Sequence, residues 1–172
     1  MKAVVVVLAL AGALALQTTL AGLTIGGGIS VNLVLVAVVY IALTHGPVAG
    51  LLAGSVGGII QDALAGGIIG IGGLCKTIVG FAVGVLGAQF IVAQPIPRFV
   101  IFFGATVVHE LCFKTLYALV ESREFSLRWT PLLTLAAVNA LVGIITFQIV
   151  ELAPGLMQRR EAQRDRIGPR RY

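Results

Sequence analysis

"GPVAGLLAGSVGGIIQD" occupies Gly46 to Asp62. Glycine recurs at 46, 50, 54 and 58, and the next step of four lands on Asp62. Residues four apart share one face of a helix, so the spacing predicts a helix with one bare edge that ends at a carboxylate. Each interior glycine costs a helix about 1 kcal/mol against alanine, and four on one edge need compensation. In lipid, helices associate by close van der Waals packing, and small residues let their backbones approach. Gly46, Gly50, Gly54 and Gly58 are therefore expected to form a helix-packing or partner interface. The spacing leaves open whether the helix lodged there is internal or belongs to another subunit.

The composition around this stretch sets the solvent. Of 172 residues, 58% are hydrophobic and only 11% are charged, against about 25% charged in ordinary soluble domains. That is too little polar surface to coat a globule in water. The chain is expected to be an all-α integral membrane protein, with one domain over residues 1–153 and a basic tail over 154–172.

Six spans emerge outward from the glycine helix, since about 20 apolar residues cross a bilayer. They are expected at about Ala3–Leu23, Ile29–His45, Pro47–Asp62, Leu74–Val92, Phe99–Val120 and Pro131–Leu152. The start has signal-peptide features in Lys2, an apolar run and Ala13-Leu14-Ala15, but the run continues to Leu23 and a first transmembrane helix is the more economical reading. "AQPIPR" is expected to break the chain at Pro95 and Pro97, and Pro154 to stop the last helix. Residues 63–73 are open between a helical extension and a re-entrant loop. A second set of small residues, Gly80, Gly84 and Gly87, follows Lys76.

Orientation follows from the basic residues. With six spans and both termini inside, Lys2, Arg98 and the six tail arginines (159, 160, 164, 166, 170 and 171) face the cytoplasm. Arg123 and Arg128 face out, partly offset by Glu121 and Glu124. That bias obeys the positive-inside rule. The tail also suits anionic lipid. It has no aromatic interleaving beyond Tyr172 and no recognisable nucleic-acid-binding fold, so no nucleic-acid partner is expected.

Asp62, Lys76, His109, Glu110 and Lys114 form the expected intramembrane polar cluster. Charges in lipid usually face a bundle interior and pair. Glu110 and Lys114 stand four apart in the favourable order, and Tyr117 continues their stripe. Asp62 and Lys76 flank the glycine-rich connection, so a pair across it is geometrically easy if the third and fourth spans are neighbours. These groups either lock helix register or line a polar cavity for a ligand or protons. Their charges balance without an outside partner, which favours the structural role.

Catalytic motifs fail on inspection. "HELCF" from His109 has Phe113 where a zinc-protease motif needs its second histidine. "AGSVG" has Ala53 where a nucleophile elbow needs glycine. Asp62 lacks a second carboxylate in a matching apolar span, and Gly26–Gly28 lack the Lys-Ser/Thr of a phosphate loop. Cys75 and Cys112, without CxxC spacing, read as apolar thiols. No catalytic residue, cofactor or metal is expected.

The stretch "GGIIQDALAGGIIGIGGLCKTIVGFAVG", Gly57 to Gly84, resembles the rod shape-determining protein MreD family. An apolar helix ends in Gly-x-x-x-Asp, matched by Gly58 and Asp62. A glycine-rich connection follows, then a Lys-Thr-hydrophobic-x-Gly-aromatic run, matched by Lys76, Thr77, Gly80 and Phe81. The upstream "ISVNLVLVAVVYIALTHGPVAGLLAG" also looks like the family's second span and turn. Gly67 and Ile68 depart from the small residue and proline of many members. The resemblance implies a six-transmembrane-helix bundle like the substrate-binding subunits of energy-coupling-factor transporters. It implies a non-enzymatic elongasome component of the bacterial inner membrane that takes part in cell-shape determination. The implied partner is the single-span protein MreC, with indirect links to RodA, the elongation penicillin-binding protein and MreB. A homo-oligomer is compatible with it. The alternative reading is a small-molecule-binding transporter subunit that uses Asp62, Glu110 or Lys114.

Overall fold

The computed structural model describes residues 2–20, 31–89, 94–122 and 127–167, with backbone only beyond Glu151. Six helices and no strand occur among the described residues: α1 (Lys2–Leu20), α2 (Leu33–His45), α3 (Pro47–Ala65), α4 (Ile71–Gln89), α5 (Pro95–Glu121) and α6 (Trp129–Ile167). Four segments are long and apolar enough to cross a membrane: α3, α4, α5 and Trp129–Glu151 of α6. Helices α1 and α2 carry shorter apolar runs, Val6–Thr19 and Leu33–His45. "GLTIGGG", Arg123, Glu124, Arg170 and Arg171 lie outside the described residues.

The bundle is built around α2, which touches all five other helices. Thirteen residues reach only about 20 Å at 1.5 Å per residue, short of a hydrocarbon core of about 30 Å. Neighbouring helices rather than lipid surround it. Leu35, Val36, Val39 and Ala42 pack against Val79 and Val83 of α4, Phe102 and Ala105 of α5, and Ala140 and Phe147 of α6. On the other side, Val34, Val38 and Ile41 meet Leu10 and Leu14 of α1 and Ala53 of α3. Around this hub the long helices pair as two antiparallel hairpins, α3–α4 and α5–α6, which are the most extensive helix contacts.

Local chemistry sets most helix ends. The Asn32 side chain accepts the Leu35 amide at 3.0 Å and caps α2. Gly46 closes α2 at φ +90°, donating its amide to Ala42 O at 3.0 Å, and Pro47 opens α3. The connection left open by the sequence is a short turn between two helices. Helix α3 runs to Ala65, Gly66 (φ +68°) and Gly70 (φ +104°) take left-handed conformations, and α4 begins at Ile71. Such torsions favour glycine because it has no Cβ.

Two proline expectations are corrected. Pro95 and Pro97 do not precede the fifth helix but form its first turn, after Gln94 as N-cap. Amides in that turn have no partner inside the helix, so prolines there lose nothing. Pro154 does not stop α6, which continues to Ile167. One missing amide is tolerated because the following stretch, rich in Leu, Met, Gln, Arg, Glu and Ala, has strong helix propensity.

Candidate functional site

The bare edge of α3 faces α4. A Cβ added at Gly50 would strike the Gly80 carbonyl, and one at Gly80 would strike the Gly50 carbonyl. At Gly54 it would fall on the Lys76 carbonyl, with the Thr77 nitrogen at 2.7 Å. At Gly58 it would meet Gly73 Cα. Gly84 of α4 sits equally close to Pro47. The two helices therefore touch backbone to backbone along most of their length. This contact recovers, through packing, what the glycines cost in helix propensity. Gly46 plays another part: a Cβ there would meet nothing within 4 Å, and the residue serves the turn. As folded, α4 fills the groove, so a partner's helix has no room in it.

A polar cap closes this seam at the end where α3 turns into α4. Asp62, 8% exposed, lies one turn before the end of α3. Its Oδ2 accepts the amides of Gly70 at 3.0 Å and Gly73 at 3.1 Å. Gly70 precedes α4, and its carbonyl takes the Leu74 amide at 2.8 Å. The carboxylate thus satisfies orphan amides at a helix N-terminus, where the helix dipole also favours a negative charge. The Asp62–Lys76 ion pair does not form. The capping geometry holds the carboxylate on the α4 amides, and the ion pairs among the described residues include Arg98–Glu151 and Glu110–Lys114.

Lys76 turns instead toward α5. It is 2% exposed, and its Nζ lies 3.3 Å from Nε2 of His109, itself 3% exposed. With Lys76 as an ammonium, which has only hydrogens to give, Nε2 is the acceptor and the ring hydrogen belongs on Nδ1. That nitrogen has no hydrogen-bond partner, and Glu110 Oε1 stands 3.6 Å away. Glu110 Oε2 in turn lies 3.9 Å from Lys114 Nζ. His109, Phe113 and Tyr117 stack down α5 with centroid spacings of 5.9 and 5.2 Å. The Tyr117 hydroxyl accepts the Ile68 amide at 3.3 Å, which ties α5 to the α3–α4 turn. Cys75 and Cys112 are free thiols in contact across the same α4–α5 junction.

Two further polar clusters escaped the sequence reading. Asn139 of α6, fully buried, accepts the Asn32 amide at 3.1 Å and donates to Thr106 Oγ1 at 3.4 Å. At the opposite end of the α5–α6 hairpin, Arg98 grips Glu151 through both nitrogens at 3.0 and 2.8 Å. Its guanidinium also lies 3.9 Å over the Phe147 ring. Neutral asparagines inside apolar runs give no pattern to read, and Arg98 and Glu151 stand 53 residues apart. No group of three His, Cys, Asp or Glu side chains able to hold a metal occurs among the described residues.

These features define a class: a polytopic helical membrane protein most of whose described interior polar side chains bond to its own helices and turns. The family model of the rod shape-determining protein MreD matches residues 2–151. The chain belongs to that family, and with it to the system that determines rod shape. No curated protein and no solved structure matches the chain.

Proposed function

We propose that this protein is a non-catalytic membrane scaffold of the wall-elongation machinery. It resides in the bacterial inner membrane with both termini in the cytoplasm. It holds an MreC-like single-span protein, and through that partner RodA, the elongation penicillin-binding protein and MreB. The observation that carries this reading is the contrast between interior and exterior. Inside, Asp62, Arg98 and Asn139 are each bonded to other helices or turns of the same chain. Outside, α3, α4, α5 and α6 present aliphatic residues such as Leu52, Ile78, Val108 and Ile145. Such faces join a partner's span through shape and close packing.

The glycine edge then contributes indirectly, by holding α3 against α4 so that the outward faces keep a fixed spacing. The rival reading, a small-molecule-binding subunit, is weakened because the Asp62 carboxylate already serves two α4 amides.

Co-purification with the MreC-like partner from cells expressing both tests the proposal. Folded protein that never retains the partner would overturn it. Tryptophan at Leu52, Ile78, Val108 or Ile145, one helix at a time, is expected to abolish retention on one face only. Gly54→Leu separates the direct and indirect roles. Loss of partner together with loss of fold supports the indirect role. Loss of partner from a folded variant places the partner in the groove.

A further inference from the structure

We propose that the Lys76–His109 contact is a proton-sensitive latch between the α3–α4 and α5–α6 hairpins. Near it the α4–α5 packing is apolar, with Val79 and Val83 clustered with Phe102 and Ala105. The latch joins two buried groups, Nζ to Nε2 at 3.3 Å. It exists only while Nε2 carries a lone pair, because an ammonium cannot accept. A proton added to Nε2 removes the acceptor and sets two cations side by side where water does not screen them.

The surroundings of the ring make the response one-sided. From α4, Lys76 faces it. From α3, Asp62 lies within electrostatic reach. On α5 itself, Glu110 stands 3.6 Å from Nδ1, and Lys114 acts on it only through Glu110. Phe113 stacks on the ring. From α2 and α6 no titratable group acts on it among the described residues. Glu110 thus offers a protonated ring a partner on the Nδ1 side. It cannot relieve the clash with Lys76 on the Nε2 side. The contact breaks, and each hairpin, tightly packed within itself, moves as a body. The latch belongs to this chain alone and stands whether or not the partner reading holds.

The test uses the full chain in lipid nanodiscs with ring-15N histidine. At about pH 8, His109 is expected as the Nδ1–H tautomer, its signal identified by its loss in His109→Gln. Spin labels at Ile78→Cys and Ile145→Cys, one on each hairpin, are placed in a Cys75→Ala, Cys112→Ala background that retains this signal. Their separation is expected to widen reversibly as falling pH protonates the ring, at the pH where its 15N signal reports the added proton. His109→Gln and Lys76→Met should each abolish the widening. An Nε2–H tautomer overturns the latch. So does a ring that stays neutral throughout, a parent that does not widen, or variants that widen equally.

Discussion

Arg98 and Glu151 meet as a fork at the junction of α5 and α6, with two nitrogen–oxygen contacts of 3.0 and 2.8 Å. Phe147 lies beneath the guanidinium, four residues before Glu151 and so on the same helical face. The pair fixes the start of α5 against α6 at the point where α6 continues beyond its apolar span.

Arg98→Lys keeps the charge and loses both the planar fork and the stacking on Phe147. Glu151 is half-exposed, so the electrostatic part is small. We expect a loss of about 1 kcal/mol, combining an exposed ion pair with a cation–π contact. Reversible unfolding in mixed micelles reads it. A variant as stable as the parent would show that the fork contributes nothing.

Helix stability is expected to respond in opposite directions to Gly→Ala at two positions. At Gly54 the new methyl collides with the α4 backbone, which cannot rotate away. The loss should reach about 2–3 kcal/mol, as in overpacked interiors. At Gly104 a Cβ meets nothing within 4 Å, so alanine should gain about 0.5–1 kcal/mol from helix propensity. Equal effects at both sites would contradict the seam.

Asp62 supplies a graded series. Asp62→Ala leaves the amides of Gly70 and Gly73 without their acceptor and should cost about 2–3 kcal/mol. Asp62→Asn keeps one acceptor oxygen and loses the charge facing the α4 dipole, so about 1 kcal/mol is expected. Hydrogen exchange at Gly70 and Gly73 localises the effect. Faster exchange in Asp62→Ala, confined to that turn, is the predicted signature.

Asn139→Leu has similar volume and removes the acceptor of the Asn32 amide. The α2 cap then loses its anchor on α6, and we expect about 1–3 kcal/mol of destabilisation. Asn139→Asp retains the oxygen that accepts from Asn32. It should preserve the protection of that amide against exchange even if overall stability falls.

What the sequence revealed depended on periodicity. Four glycines at a spacing of four are legible because one helical face repeats every turn, and the carboxylate at the next step marked the end of that face. The same reasoning could not say which helix would fill the groove: Gly73, Gly80 and Gly84 share one face of α4 at steps of seven and four, but a spacing does not name the helix it meets. Opposite charge and the short connection between them suggest that Asp62 and Lys76 pair. The α4 amides won because two aligned donors sit at hydrogen-bond distance from one oxygen. Helix geometry sets His109 about 100° from Glu110 around α5, but its meeting with Lys76 is an inter-helix fact. Pro95 and Pro97 look like breaks because a sequence does not say where a helix's first turn falls, and Pro154 looks like one although the propensity of the stretch beyond it outweighs one missing amide. Asn139 and Thr106 carry neither charge nor period, and nothing local announced them.

The reciprocal approach of Gly50 and Gly80, each with its carbonyl against the other's backbone, has an evolutionary consequence. The contact is made by main-chain atoms, and such close approach suits weak Cα–H···O bonding. The joint is therefore encoded by the lack of side chains at a few positions and is indifferent to residue identity elsewhere on the two rods. Val48, Leu52 and Val56 on one, and Ile78, Phe81 and Leu86 on the other, point away from it. Changes at these residues leave the joint itself untouched, whereas a single methyl added at Gly50 or Gly80 collides with the opposite backbone.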